Sequence, residues 1–447
     1  MSIGHILEQK LMVKTTLFIS FLIVACLKIE AQELLRRATW QAEIDAPAAT
    51  VPGATVKTVE SNSPLAQAGI SAGDIIISVD GQLATADLWS DIVYGLRASK
   101  TTEIVVKSGV QSRTVELSLT PLALETHPDI DTYYEQFTTR YGLTQRAIIT
   151  RPKNKTGKQP ALYMIGGLSC SSMEVYSNRG GNWPKVIRDL VEKTGMVVMR
   201  IEKPGVGDSE GACSQTDFHT ELEGIREGIR LLKSKPYVDS TNIIVFGSSM
   251  GSAIAPSMVN EFGLAGVISD GTFFKTWYEH MLEIERRIKQ MEGHSQSEIA
   301  RMMNEAYIPL YHGMLIEKKS YQEVTDAYPA IKKLNYHGDY HMYGRPLSYY
   351  QQLQDFDFAA GWENLQVPLR IMRGTNDWIM SAFDNQMIME LLDRKGHEDH
   401  ELYEYPGLDH WNTIHPSPEN SFFGRPGKWE DDISGILVNW ARELAGL

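Results

Sequence analysis

The stretch Gly247-Ser248-Ser249-Met250-Gly251 decides the fold, because of what precedes and follows it. Residues 243–246 form an apolar, β-branched run that is typical of a buried strand. Residues 252–257 are mostly small and can continue as a helix. The turn between them needs a sparsely populated backbone conformation, and its two glycines remove Cβ atoms that would collide there. The pattern predicts that Ser249 projects its hydroxyl from a sheet edge at the N-terminus of a helix, where negative charge is favoured.

Length, composition and net charge indicate a globular protein of more than one domain that does not bind nucleic acid. The chain has 447 residues, more than one ordinary domain needs. At 43% hydrophobic and 22% charged residues, it has the composition of a globular protein. The net charge is −13 and no basic block offsets it, so we expect no nucleic-acid partner.

The N-terminus has the pattern of a secretory signal peptide, which we predict over residues 1–31. Two lysines precede an apolar run over residues 17–27, which is shorter than the roughly 20 residues that span a bilayer. The alternative is an N-terminal core helix. We therefore predict an exported protein, periplasmic or secreted. Residues 23–26 also resemble a lipobox, so lipidation of Cys26 stays open, and we expect membrane contact only through the leader or that lipid.

Residues 36–122 are rich in short strands punctuated by glycine. Within them, residues 63–82 (SPLAQAGISAGDIIISVDGQ) combine a one-turn helix ending at Gly69, a Gly-Asp pair, a strand and a tight Asp80-Gly81 turn. This order resembles PDZ domains of the bacterial, circularly permuted kind. The resemblance implies that the domain binds C-terminal or extended peptides by strand addition.

The sequence departs from the PDZ pattern at residues 37–40, where the family has a glycine-containing loop that holds the peptide carboxylate. No glycine is present there. Two interpretations stay open: a peptide-binding domain, or a PDZ fold that serves as an intramolecular cover or a dimer surface. Residues 123–132 are predicted to be the linker to the next domain.

Residues 133–447 alternate between strand-like and helix-like segments, which predicts a mostly parallel sheet with helices on both faces, in the α/β class. The predicted strand cores are 147–150, 161–165, 196–201, 243–246, 265–269, 369–372 and 402–405. Residues 272–355 interrupt the alternation with helical, Met- and Tyr-rich sequence that contains no clear strand. We interpret them as an inserted helical cap over the C-terminal edge of the sheet.

The turn at Ser249 and this alternation together resemble the α/β-hydrolase family, whose members carry a G-x-S-x-G nucleophile elbow between a strand and a helix. Four further motifs follow strands in the family's order: 165–169 (IGGLS), 203–209 (KPGVGDS), 374–377 (GTND) and 408–411 (LDHW). The resemblance implies an α/β-hydrolase fold and a serine hydrolase that works through an acyl-enzyme.

The resemblance assigns a role to each site residue. A serine hydroxyl is a poor nucleophile until an imidazole takes its proton, so Ser249 needs His410. Asp377 fixes the tautomer of that imidazole and stabilises its charged form. The tetrahedral oxyanion needs two donors, which we assign to the N–H groups of Met250 and Leu168.

Several other residues of the sequence have competing interpretations. Asp270 follows the strand before the cap and is the alternative acid, whereas Asp409 is expected to be a solvated loop carboxylate. His280, like the other histidines without strand-end context, is expected to be a surface or capping residue. Glu202 and Lys203 are expected to form a structural pair.

Cys170 and Cys213 are the cysteines left once the leader is removed. In an oxidising compartment two cysteines suggest one disulfide, and the alternative is two buried free thiols. In the α/β-hydrolase resemblance both lie on loops at the same sheet edge, so a bridge between them is expected to stiffen the loop that carries Leu168.

Three functions are compatible with the sequence. The first is an exported serine hydrolase that cleaves a carboxylic ester, with the PDZ domain binding or positioning a peptide. The second is a serine peptidase or aminopeptidase of the same fold, and the third is a peptide-binding adaptor with a non-catalytic hydrolase scaffold. The Ser/Asp/His set weighs against the third, while the first two share all their machinery. No metal-ligand spacing or phosphate-binding loop is present, so neither a cofactor nor a metal is expected.

Overall fold

The computed structural model describes residues 33–48, 51–175, 181–334, 341–342 and 344–447. The predicted signal peptide and the candidate lipid site Cys26 lie outside these ranges. From Leu34 onward the chain forms one compact unit. Across the described ranges, no helix has both the length and the apolar character needed to cross a membrane.

The N-terminal part is a small β-rich domain, as predicted. Its strands are β1 (Ala38–Thr39), β2 (Ala42–Asp45), β3 (Ala54–Val59), β4 (Ile75–Val79), β5 (Gln82–Leu83), β6 (Thr101–Ser108), β7 (Gln111–Ser118) and β8 (Thr120–Pro121), and its helices are Pro64–Gln67 and Ala86–Gly95. The six-stranded antiparallel sheet has the order β2-β3-β4-β6-β7, with β5 paired to β4. In β6 the alternate residues Ile104 and Val106 are buried, because side chains alternate between the faces of a strand.

The second sheet has eight strands in the order β18-β17-β14-β13-β11-β12-β10-β9. The strands from here on are β9 (Ile130–Thr138), β10 (Thr144–Pro152), β11 (Gln159–Ile165), β12 (Val197–Ile201), β13 (Val238–Ser248), β14 (Gly266–Asp270), β15 (His341–Met342), β16 (Arg345–Pro346), β17 (Leu369–Gly374) and β18 (His400–Tyr405). In the large sheet β10 is antiparallel to both its neighbours, and every pair from β12 to β18 is parallel. The predicted α/β class with a mostly parallel sheet is confirmed. The end of the predicted linker 123–132 belongs to the sheet, since β9 begins at Ile130.

Helices cover both faces of this sheet. The helices that flank it are Asn182–Thr194, Phe218–Lys233, Met250–Phe262, Ala382–Arg394 and Asp432–Leu444. Strand β13 shows how the faces separate: Ile243 and Val245 belong to one hydrophobic cluster, and Ile244 and Phe246 belong to the other. A strand buried on both faces is a continuous apolar run, which explains why its sequence predicted it clearly.

The insertion between β14 and β17 is mainly helical. Its helices are Trp277–Met291, Gln296–Met302, Met303–Tyr307, Ile308–Tyr311, His312–Ile316, Tyr321–Ala327, Ile331–Leu334, Leu347–Gln354 and Phe358–Glu363. The expectation that 272–355 contains no strand is wrong in one detail, because β15 and β16 form a two-stranded antiparallel ribbon. Each is two residues long, too short for a strand period to appear in the sequence. A 3-10 helix, Cys213–Gln215, and the helix Pro418–Phe422 complete the elements.

Candidate active site

Ser249 lies between the end of β13 and the start of the helix Met250–Phe262, in a strained turn of the kind that the sequence predicts. Its φ is 54° and its ψ is −124°, which is rare for a residue with a side chain. A Cβ atom on Gly247 would lie 2.4 Å from the carbonyl oxygen of Gly251, and one on Gly251 would lie 2.2 Å from that of Ile165. Both positions therefore require glycine for the turn to form.

Two loops at the same sheet edge bring an imidazole and a carboxylate to Ser249. The Nε2 atom of His410, which follows β18, lies 2.9 Å from Oγ of Ser249. Its Nδ1 atom lies 2.9 Å from Oδ2 of Asp377, which follows β17. The other carboxylate oxygen, Oδ1, accepts hydrogen bonds from the backbone N–H groups of Ile379 and Met380, each at 2.8 Å. Ser249, His410 and Asp377 thus form one hydrogen-bonded row.

His410 and Asp377 each stabilise the charged form of the other. Burial alone would raise the pKa of Asp377, but His410 and the two backbone N–H groups bring it below its ordinary value. Burial alone would lower the pKa of His410, but the Asp377 carboxylate brings it above its ordinary value. The site therefore stabilises an imidazolium at His410.

The two other candidate carboxylates have different partners. Asp270 accepts a hydrogen bond from the side chain of Asn412 at 3.2 Å, and burial raises its pKa to about 6. Asp409 accepts from Oγ of Ser421 at 2.7 Å and is not the solvated carboxylate expected, since it is 5% exposed. Its burial has no local sequence signal, because one of its partners, Ser421, lies on the separate helix Pro418–Phe422. Asp377 is the carboxylate that the structure brings to Nδ1 of His410.

The loop that follows β11 packs directly against Ser249. A Cβ atom on Gly167 would lie 2.9 Å from Cβ of Ser249 and 3.4 Å from its Oγ, so only glycine allows this approach. Leu168, the next residue, and Met250 line the same cavity as Ser249. Their roles as oxyanion donors stay predictions.

Ser249 and His410 open into a cavity of about 720 Å³. Aromatic and aliphatic side chains form most of its wall, among them four tryptophans: Trp183, Trp277, Trp378 and Trp411. His280 also lines it, 1% exposed and stacked on Phe273 with ring centroids 4.5 Å apart. Burial lowers the pKa of His280 to about 3, so the ring is neutral. The expectation that His280 is a surface or capping residue is wrong, because cap packing, which has no local sequence signal, buries it.

Glu202 and Lys203 do not pair with each other as expected. Glu202 accepts from Oγ of Ser172 and from the N–H of Met173, whereas Lys203 pairs with Glu221 at 3.0 Å. Adjacent residues at the end of a strand point to opposite sides of the sheet, which separates the two side chains.

Cys170 and Cys213 form a disulfide, with Cα atoms 6.0 Å apart. The alternative of two free thiols is thereby excluded in this structure. Cys170 follows the loop that packs on Ser249, and Cys213 follows the 203–209 motif, so the bridge joins two loops at the edge that carries the site.

We expect reduction of this disulfide to lower both the melting temperature and the turnover. The bridged residues are 43 apart in sequence. A closed loop of that length contributes about 3–4 kcal/mol to the free energy of unfolding in the chain-entropy model. Since Cys170 anchors the loop beside Ser249, kcat should fall more than substrate affinity.

Scanning fluorimetry and steady-state kinetics, with and without reductant, measure both effects. The control is the double variant Cys170→Ser/Cys213→Ser, which should have the lower melting temperature whether or not reductant is present. An unchanged melting temperature in protein whose thiols have become alkylatable would contradict the expectation.

The N-terminal domain bonds to the same group of loops. The backbone N–H of Arg37 donates to Oδ1 of Asp208 at 2.7 Å, and Asp208 lies in the loop after β12. Oγ of Ser214 donates to the carboxylate of Asp91, on the helix Ala86–Gly95. Ser214 follows Cys213, so the domain is attached one residue from the disulfide.

Comparisons with known proteins agree with this architecture. The profile of the family described as "Serine aminopeptidase, S33" matches residues 179–414, and a profile described as "PDZ domain" matches residues 55–106. "Esterase EstD" of Thermotoga maritima is 21% identical over 294 residues, which are 65% of this chain and 63% of that protein. The chain therefore spans less than two thirds of the length of this curated relative.

Two solved structures are among those to which the chain is similar. An esterase of Pyrococcus furiosus has a TM-score of 0.43 and 12% identity, with 73% of this chain and 97% of that chain covered. Est1E of Butyrivibrio proteoclasticus, solved with ferulic acid bound, has a TM-score of 0.44 and 14% identity, with 69% of this chain and 96% of that chain covered.

Proposed function

Because the chain belongs to the serine aminopeptidase S33 family of α/β-hydrolases and carries a PDZ domain at its N-terminus, we propose that it is an exported serine hydrolase that cleaves a carboxylic ester. The observation that carries the proposal is the row Ser249–His410–Asp377, with both hydrogen bonds at 2.9 Å, whose Ser249 and His410 line a mostly apolar cavity. Export, to the periplasm or beyond, rests on the predicted signal peptide.

The geometry supports a two-step acyl transfer. His410 takes the proton from Ser249 as Oγ attacks the ester carbonyl carbon, and Asp377 stabilises the imidazolium. The carbonyl oxygen becomes an oxyanion, for which the N–H groups of Met250 and Leu168 are the proposed donors. As the intermediate collapses, the alcohol leaves with the proton from His410 and the acyl group stays on Ser249. Water, activated by His410, then releases the acid.

The family description favours a second candidate, an aminopeptidase. Such an enzyme must hold the positively charged amino terminus of its substrate, for which a carboxylate is the usual partner. Among the described residues that line the cavity, none is Asp or Glu, and Lys203 adds a positive charge. A neutral ester that enters an aromatic cavity suits this lining better than a cationic peptide end.

A panel of p-nitrophenyl acyl esters and aminoacyl p-nitroanilides, run on the purified mature protein, tests the proposal. We expect hydrolysis of the uncharged esters, with Ser249→Ala as the background. Faster cleavage of the aminoacyl nitroanilides would favour the peptidase instead. If a folded protein cleaves neither class, the adaptor function is favoured.

The PDZ domain is proposed to bind or position a peptide beside the catalytic loops. Among the described strands, β2 pairs only with β3, which leaves its other edge available for strand addition. Calorimetric titration of the full chain with peptides that end in a free carboxylate, and with their C-terminal amides, separates the two interpretations. Tighter binding of the carboxylates supports peptide capture, whereas no binding in either set supports a PDZ fold that serves as an intramolecular cover or a dimer surface.

A further inference from the structure

Lys203 holds a carbonyl oxygen of the loop that packs on Ser249. Its side chain is 12% exposed and lines the catalytic cavity. The Nζ atom donates a hydrogen bond to the carbonyl oxygen of Gly167 and also pairs with Glu221 at 3.0 Å. Gly167 packs against Ser249, since a Cβ atom on it would lie 2.9 Å from Cβ of Ser249. Lys203 therefore holds a residue that packs on the predicted nucleophile.

Arg345, from the cap, holds the next carbonyl oxygen. It is fully buried, and its Nε atom donates to the carbonyl oxygen of Leu168 at 3.1 Å. Its Nη1 atom donates to the carbonyl oxygen of Cys213 at 3.2 Å, and Nη2 pairs with Glu221. Burial alone would raise the pKa of Glu221, but Arg345 and Lys203 bring it below its ordinary value, so the carboxylate stays charged between the two cations.

These two contacts fix the directions of N–H groups as well as carbonyls. The carbonyl of Gly167 and the N–H of Leu168 belong to one planar peptide group, and all described peptide bonds are trans. In a trans peptide the C=O and N–H bonds point in opposite directions, so holding one holds the other. The same relation links the carbonyl of Leu168 to the N–H of Ser169. Rotation of the first peptide group would turn the N–H of Leu168, and rotation of the second would turn the N–H of Ser169.

The cluster also has an electrostatic effect. Burial and the nearby Arg345 lower the pKa of Lys203 to about 8, so both cations are charged at neutral pH. Two cations then face one carboxylate, which leaves one positive charge uncompensated next to the loop. A buried positive charge is screened less than one in water and favours negative charge nearby. An oxyanion that forms at Ser249 would benefit from that field.

We propose that Lys203, Glu221 and Arg345 are positioning residues that hold the Gly167–Leu168 peptide group, directly and through the neighbouring Leu168–Ser169 group, in the orientation that points the N–H of Leu168 at the oxyanion. The proposal rests on the proposed ester hydrolysis, and it makes the cap part of the catalytic geometry, because Arg345 belongs to the cap. It predicts an effect on the transition state rather than on substrate binding.

The test compares Lys203→Met and Arg345→Met with the wild type, using the best p-nitrophenyl ester and a trifluoromethyl ketone. Ser249 would add to that ketone to form a hemiketal oxyanion. Loss of one oxyanion donor costs about 10²–10³ in kcat, so we expect loss of a contact that orients one to cost about 10–100-fold. KM should stay within about twofold, since the ground state does not use the oxyanion donors. Affinity for the ketone should fall by the same factor as kcat/KM.

Lys203→Met should fold, because Glu221 remains paired with Arg345. The matched control is Lys235→Met, which removes a lysine that is 15% exposed and paired with Glu135, far along the sheet on β9. If the folded Lys203 and Arg345 variants keep the kcat of this control, or raise KM without lowering kcat, the proposal is overturned. If Ser249→Ala hydrolysed the ester as fast as the wild type does, the proposed function would be overturned, and this inference with it.

Discussion

The Ser249→Ala variant is expected to lose about 10⁶-fold in kcat while keeping its fold, as removal of the nucleophile does in serine hydrolases of this mechanism. Oγ of Ser249 is hydrogen-bonded to Nε2 of His410, so it is the hydroxyl that His410 is placed to deprotonate. The alanine variant removes that hydroxyl. Alanine keeps the Cβ atom of the serine, so the turn at φ 54° should keep its conformation. Steady-state kinetics on the best ester and labelling by a fluorophosphonate probe measure the loss.

The control for this variant is Ser257→Ala, in the same helix as Met250 but remote from the cavity wall. It should retain both turnover and labelling. Circular dichroism of both variants checks that the fold is unchanged. Undiminished labelling of Ser249→Ala would show that another nucleophile reacts with the probe.

The Asp377→Asn variant is expected to lose about 10⁴-fold in kcat, because an amide at this position favours the wrong tautomer of the histidine. The same change should alter the pH profile. Asp377 raises the pKa of His410 against the effect of burial, and only neutral His410 can accept the proton from Ser249. Wild-type activity is therefore expected at high pH and lost as the pH falls through a value above the ordinary histidine pKa of about 6.5. In Asp377→Asn this acid limb should move to lower pH.

Asp270→Asn and Asp409→Asn are the matched comparisons, since both carboxylates are buried near the same loops and neither bonds to His410. Each should cost far less than Asp377→Asn. Each should also move the acid limb to lower pH by less than Asp377→Asn does, because both carboxylates raise the pKa of His410 but Asp377 raises it most. A crippling Asp270→Asn together with a mild Asp377→Asn would reverse the assignment of the acid.

The parts of the fold that sequence predicts are those whose burial leaves a local pattern. Strands β10 to β14 are buried on both faces, so their apolar runs locate all five. The ends of β11, β12 and β14 lie within two residues of the predicted runs, whereas β10 begins three residues and β13 five residues before its run. Strand β9 was missed because it is an edge strand with mostly polar, half-buried residues, and its sequence IDTYYEQFT shows no apolar run. The turn at Ser249 was predictable because two glycines mark it locally.

The parts of the site that sequence did not predict depend on contacts between distant segments. Lys203 and Gly167 are 36 residues apart, and Arg345 and Leu168 are 177 apart. His280 enters the cavity wall only because the cap folds over the sheet. No spacing within a single segment carries this information, which explains why the row Ser249–His410–Asp377 was predicted from motif order while its surroundings were not.

The proposed function depends on an acyl-enzyme, which rapid-quench mass spectrometry of the wild type with a slowly deacylating p-nitrophenyl ester detects. We expect a burst of nitrophenol equal to the concentration of active sites, and a peptide that contains Ser249 carrying the mass of one acyl group. Turnover without a burst, or an acyl group on any other residue, would contradict it.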